Sequence, residues 1–251
     1  MEPQATAVAT DVLDAVAEGR YPLPHDVLGA HLNDGVVTIR SVHHLADSVE
    51  VLTQDHSSPA SHEHGGVWVC VFAADDIPDY RLRVTYGDHS QVVDDPYRFL
   101  PTVGEMDTYL ISEGRHERLW DVLGAHLMHF DGVMGPVDGV AFAVWAPNAQ
   151  AVRVVGDFNF WDGTGHAMRT MGASGVWELF IPGVGIGARY KFEIQGPSGN
   201  WFQKADPMAR ATEIPPATAS VVTDVFHTWN DEDWLRARKD ANPHTGPMSI
   251  Y

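Results

Sequence analysis

The chain is poor in cysteine, in basic residues and in long apolar runs, and each shortage removes a class of function. Its single cysteine, Cys70, lies within an apolar run, so no disulfide framework can form inside the 251 residues. Lys and Arg number 16 against 34 Asp and Glu, and the formal net charge of −18 repels phosphate backbones and anionic lipid surfaces. Neither nucleic acid nor a membrane is an expected partner. No window approaches the roughly 20 apolar residues that span a bilayer. Residues 1–10 have neither the basic start nor the apolar centre of a secretory signal, which points to a cytoplasmic protein. There is no strand-to-helix glycine loop for phosphate and no G-x-S-x-G elbow, and no cofactor is expected. Acidic neighbours such as Asp75 with Asp76 are adjacent only in sequence. Glycoside cleavage needs two carboxyls about 5 to 9.5 Å apart across a cleft. His56, His62 and His64 cluster with Glu63 as the only close acid, which reads as a solvated loop and not as a metal site.

What the chain does contain is a duplication. EGRYPLPHDVLGAHL at 18–32 and EGRHERLWDVLGAHL at 113–127 are identical at ten of fifteen positions. The correspondence continues downstream: WVCVF from Trp68 matches WELFI from Trp177, YRLRV from Tyr80 matches YKFEI from Tyr190, and DDPYRFLP from Asp94 matches KADPMARA from Lys204. His31 and His126 occupy equivalent positions after Gly-Ala, which predicts a shared structural hydrogen bond.

Within each copy the hydrophobic period is two. Segments 36–40, 48–52, 66–72 and 80–86 are short, β-branched or aromatic, and bounded by turn residues. The second copy repeats the pattern at 139–145, 151–156, 175–181 and 188–194. The expected fold is all-β: two tandem immunoglobulin-like β-sandwiches, one short helix over 5–18, and a C-terminal linker. Domains are expected at 1–108, 109–225 and 226–251, with 104–120 linking the copies. Trp68, Trp145 and Trp177 sit on strands and are expected in the core.

Several motifs in the second copy carry a resemblance. GDFNFWDG at 156–163, YKFEI with Lys191, NWFQKADPMA at 200–209 and the DVLGAHL segment resemble the family 48 carbohydrate-binding module of starch- and glycogen-binding proteins. The tandem arrangement, WAPNAQAVRVVGDFNFWDG and the terminal PMSIY are similar to the N-terminal region of bacterial 1,4-α-glucan branching enzymes. The resemblance implies α-glucan or glycogen as ligand, with Trp161 and Trp201 stacking on sugar rings, Lys191 bonding hydroxyls, and Thr218 and Ser220 adding contacts. The two indoles could instead pack on a catalytic barrel. The resemblance also implies that catalysis belongs to an Asp and a Glu on a (β/α)8 barrel of about 250 residues. Residues 226–251 read as a linker and the first strand of such a barrel, so no residue here is assigned a catalytic role and the barrel is an expected partner. A debranching or trehalose-releasing enzyme with a similar region is the other parent considered. The first copy has LTQDHSSPASHEHGG at 52–66 in place of the platform turn, with neither FN nor Trp, and is expected to keep the sandwich without the sugar site.

Overall fold

Alternation of apolar and polar side chains yields strands wherever one face can be buried, and both copies obey it. The computed structural model describes residues 3–224, 226, 228–241 and 246. The PMSIY segment at 247–251, read as the first barrel strand, lies outside the described residues. Helix α1 (Thr10–Ala17) precedes β1 (Gly29–Asn33), β2 (Val36–Val42), β3 (Ser48–Leu52), β4 (Ser57–Pro59), β5 (Ser61–His64), β6 (Val67–Ala73), β7 (Arg81–Tyr86) and β8 (His89–Val93). After α2 (Glu105–Ser112) come β9 (Gly124–Phe130), β10 (Val137–Trp145), β11 (Ala151–Gly156), β12 (Arg169–Thr170), β13 (Val176–Pro182), β14 (Arg189–Gln195), β15 (Trp201–Lys204), β16 (Ala211–Thr212), β17 (Ser220–Val221) and helix α3 (Glu232–Asp240).

The strands make four antiparallel sheets, two per copy. In the first copy β1-β2-β6-β5 packs on β4-β3-β7-β8 through Val37, Ile39, Val49, Val51, Leu82 and Val84. In the second, β12-β13-β10-β9 packs on β11-β14-β17-β16, with β15 and β17 sharing one edge of β14. The leading helix is shorter than the sequence suggests. Residues 52–66, expected as a solvated loop, contain β4 and β5. Glu63 accepts two hydrogen bonds from Arg40, at 2.7 and 2.9 Å, and Gly65 and Gly66, both at positive φ, turn the chain into β6. Trp68 and Trp177 are core residues, but Trp145 is 55% exposed. It ends β10 beyond the buried layer, and its indole donates to Ser174 O.

The duplication survives as paired internal bonds. His31 and His126 each bond the carbonyl three residues earlier, Leu28 O at 3.1 Å and Leu123 O at 3.0 Å. Tyr80 donates to Asp95 at 2.7 Å, and Tyr190 donates to Asp206 at 2.6 Å. Each aspartate also accepts from the backbone N–H two residues on, Tyr97 or Met208. Burial pushes the Asp95 carboxyl up to about 6 and raises that of Asp206. In the second copy the Asp206 N–H donates to Ser220 Oγ at 2.9 Å.

The two copies meet in one apolar cluster: Leu13, Val16, Val27 and Val42 of the first lie with Phe142, Trp177, Leu179 and Tyr190 of the second. Tyr97 pins the seam, its hydroxyl accepting from Ala167 N at 2.9 Å and lying 3.1 Å from Gly165 O. The 104–120 segment contains α2, and neighbouring Val103 and Leu123 cover the outer face of β10 and β13. There the Arg169–Glu178 ion pair is capped by Thr102, whose hydroxyl donates to Glu178 at 2.7 Å.

Two expectations follow. Removing one partner of the Tyr190–Asp206–Ser220 set leaves a buried polar group unmatched. Tyr190→Phe and Ser220→Ala should each cost about 1–3 kcal/mol in urea unfolding; changes under about 0.5 kcal/mol would contradict this. The second concerns histidines near the seam. Desolvation, reinforced by Arg169 for His25, His44 for His43 and His43 for His166, lowers His25 to about 3 and the other two to about 4. The unfolded chain takes up these protons near 6.5 while the folded chain does not, so stability is lost as pH falls from there toward about 4. Asp95 works in the opposite sense, its contribution falling as pH rises toward about 6. The three histidines outweigh it: Tm should be lower at about pH 5 than at about pH 7.5. A His43→Gln, His166→Gln double variant should show a smaller drop. An unchanged pH profile in that variant would contradict the assignment.

Candidate functional site

The outward face of the β11-β14-β15 layer gathers most of the residues singled out in the sequence. Tyr190 and Phe192 point into the core, so Lys191, Glu193 and Gln195 point out. Register places Val155 opposite Lys191, Arg153 opposite Glu193, and Trp201 opposite Gln195. Four residues of strand separate the Lys191 and Gln195 levels, roughly 13 Å at 3.3 Å per residue.

The GDFNFWDG turn folds over one end of this face, and each of its residues has a task. Gly156 is extended and touches β14 so closely that a Cβ would lie 2.3 Å from Arg189 O. Asp157 takes a bidentate pair from Arg189, both bonds at 2.9 Å, and also accepts from the Trp161 side chain. These bonds, the Arg189 one foremost, hold its carboxyl below the usual carboxylate range. Phe158 enters the core beside Phe142. Asn159 accepts from Gly156 N at 2.8 Å and donates to Val154 O at 2.9 Å, closing the turn. Phe160 and Trp161 both lie at positive φ, 53° and 64°, a conformation that bulky side chains adopt at a cost. Asp162 then accepts from Thr164 N at 2.9 Å. Gly163 lies flat on the sheet: a Cβ there would sit 2.7 Å from Arg153 Cβ and 3.0 Å from Val155 Cγ1.

Four of the five predicted residues therefore share one surface. Trp161 and Trp201 are half-buried, and Lys191 Nζ donates to the exposed Thr218 hydroxyl at 2.9 Å. An ammonium has three N–H donors, so two of those on Lys191 remain for a ligand. Ser220 is different: it is wholly buried and its hydroxyl is bound to the Asp206 N–H, so it holds the strand below the surface and presents nothing to solvent. Sequence reasoning missed two residues. Phe160 is 94% exposed at the tip of the turn, next to Trp161. The signal was an aromatic flanked by Asn159 and Trp161 in a turn whose other phenylalanine had to face inward. Arg153 stacks on Trp201, its guanidinium carbon 3.7 Å from the ring centroid; alternation along AVRVVG already aimed it outward.

A concave surface lies elsewhere. An apolar cleft of about 370 Å³ is lined by Ile111, Leu119, Leu123, Trp145, Pro207 and Met208. Trp120, on the segment next to it, is 54% exposed. Among the described residues no group of three or more His, Cys, Asp or Glu is placed to hold a metal ion, and no helix is long and apolar enough to cross a membrane.

Comparison with known proteins assigns both copies. The family model described as Carbohydrate-binding module 48 (Isoamylase N-terminal domain) matches residues 122–209. That described as alpha-1,4-glucan branching enzyme GlgB, N-terminal domain, matches residues 9–97. The 1,4-alpha-glucan branching enzyme GlgB of Thermobifida fusca (strain YX) is 53% identical over 251 residues, covering 99% of this chain and 33% of that protein. The corresponding protein of Leifsonia xyli subsp. xyli is 52% identical over 248 residues, covering 96% of this chain and 33% of its own length. The chain thus spans about a third of the curated relatives it matches. Among solved structures, pullulanase type I from Bacillus subtilis str. 168 complexed with maltose aligns over 80% of this chain and 27% of that one, at 18% identity and a TM-score of 0.34. With residues 9–97 and 122–209 each matched by a family model and the relatives aligned along nearly the whole chain, the sequence corresponds to the N-terminal region of bacterial 1,4-α-glucan branching enzymes: a GlgB-type N-terminal domain followed by a family 48 carbohydrate-binding module.

Proposed function

We propose that the outward face of β11, β14 and β15 binds α-1,4-glucan chains such as those of glycogen and holds them for a catalytic barrel of branching-enzyme type, which would move an α-1,4-linked segment into an α-1,6 linkage. The observation that carries this reading is the pairing, on one solvent-facing layer, of two half-exposed indoles with the Lys191–Thr218 pair. A glucan presents apolar ring faces edged by hydroxyls, and that layer offers flat apolar surface edged by donors and acceptors. Stacking about 100 Å² of ring face contributes roughly 2.5 kcal/mol. Two platforms give about 5 kcal/mol before the cost of association, so stacking alone corresponds to a Kd of about 0.2 mM or weaker. Such weak grip suits a branched polymer, where many chain ends raise the effective affinity.

The apolar cleft beside Trp145 supports a second role for a different surface. Contiguous exposed apolar groups mark protein contacts, and the cleft with Trp120 is the surface we propose for the barrel. This separates the two uses considered for tryptophan: Trp161 and Trp201 for sugar, Trp120 and Trp145 for protein. We also propose domain limits of 1–108, 109–225 and 226–251, supported by the two matched spans, and an immunoglobulin-like type for each sandwich, supported by its paired antiparallel sheets of short strands. The buried, unpaired Cys70 suits a reducing, cytoplasmic setting.

Titration of the chain with maltoheptaose, followed by tryptophan fluorescence, tests the reading. A saturable change is expected, and Trp161→Ala and Trp201→Ala should each weaken binding by about 70-fold, the equivalent of one platform's roughly 2.5 kcal/mol. Absence of saturation, or affinity that survives both substitutions together, would contradict it.

A further inference from the structure

Arg153 joins three parts of the molecule at one point. Its guanidinium carbon lies over the Trp201 ring, 3.7 Å from the centroid and within cation–π range. Its Nη1 donates to Glu193 at 3.2 Å across the β11–β14 pair. Its Nε donates to Gly19 O at 2.9 Å, and its Nη2 donates to Glu18 O. Those carbonyls end helix α1 in the first copy, where Gly19 presses on the Thr164 carbonyl just past the platform turn; a Cβ at Gly19 would lie 2.8 Å from it. A planar cation with three fixed partners has little freedom to rotate. It therefore holds the plane of the indole against it and covers one indole face.

We infer that Arg153 is a positioning residue for glucan: it fixes the Trp201 plane and ties it to the end of α1, so the carbohydrate face of the second sandwich depends on the docking of the first. The inference rests on the glucan-binding reading above. It explains why the EGR motif at 18–20 has a use that its repeat at 113–115 lacks: the first contributes backbone carbonyls to the platform's support. By linkage, glucan that stacks on Trp201 favours the docked α1 terminus.

The experiment uses the full chain in four forms: wild type, Arg153→Met, Trp201→Ala and the double variant, with Arg153→Lys as a milder change and thermal melts as a folding control. Maltoheptaose affinity should fall about fivefold in Arg153→Met and less in Arg153→Lys, which keeps the cation but loses the fork. Non-additivity is the decisive sign: Arg153→Met should add nothing in the Trp201→Ala background. Equal loss in both backgrounds, or no loss, would overturn the inference. A readout without ligand keeps the two readings apart. In heteronuclear NMR the Trp201 indole N–H signal should shift and broaden in folded Arg153→Met, whether or not glucan binds. If wild type fails to bind maltoheptaose, the glucan reading falls, and an unmoved indole signal then removes the positioning role as well.

Discussion

The two-residue period of β14 is the constraint from which the functional surface follows. Tyr190 and Phe192 must enter the core, and that requirement alone turns Lys191, Glu193 and Gln195 outward on a central strand. A slip of one residue would bury Lys191 and expose the core. Register is further held by the buried Tyr190–Asp206 bond, which locks β14 to the segment after β15. The flanking strands then bring Arg153 and Trp201 onto the same face without further choice. The turn at 156–163 departs from regular geometry: there the backbone takes positive φ at Phe160 and Trp161, the two aromatic residues it presents.

Duplication supplies the frame around that surface. Both copies keep the Tyr–Asp bond, the aspartate cap and the histidine–carbonyl contact, so the same scaffold is built twice. They differ where ligand chemistry would lie: the first has the β4–β5 stretch in place of the aromatic turn. Its contribution passes through the seam, where α1 and Tyr97 enter the second copy's apolar cluster. The Tyr97 hydroxyl holds Gly165 and Ala167, which follow directly on the platform turn. The first sandwich thus acts on the proposed glucan-binding face by holding its supports.

The principal strands were legible because their alternation is clean, as in 48–52 and 151–156, whose limits match β3 and β11. Strands β1 and β9 were not separated within the repeated DVLGAHL segment, since a glycine and a small residue open each and the apolar pattern is weak. The 52–66 stretch reads as loop because Ser, His and Pro dominate it; what makes β5 a strand is its antiparallel pairing with β6, beside which Arg40 bonds Glu63. Trp145 looks like core by its place at the end of an apolar run, yet strand position does not reveal where the opposing layer stops. Ser220 fails as a surface residue for a related reason. Its buried partner, Asp206, is fourteen residues away and belongs to a bond that sequence spacing does not disclose. Trp161, Lys191, Trp201 and Thr218 are named through the resemblance of their motifs to family 48 modules; in the structure Lys191 and Trp201 lie on paired strands, and Thr218 joins Lys191 through a hydrogen bond.

Two aromatic surfaces with different uses make a sharp spatial claim. Sugar should meet the half-exposed indoles of the second sandwich, leaving untouched the tryptophans of the cores, Trp68 and Trp177, and those near the apolar cleft, Trp120 and Trp145. The most direct measurement is to follow the indole N–H signals of all eight tryptophans during addition of maltoheptaose. Saturable movement confined to Trp161 and Trp201 is the predicted result. Movement at Trp120 and Trp145 with the other two stationary would contradict the account.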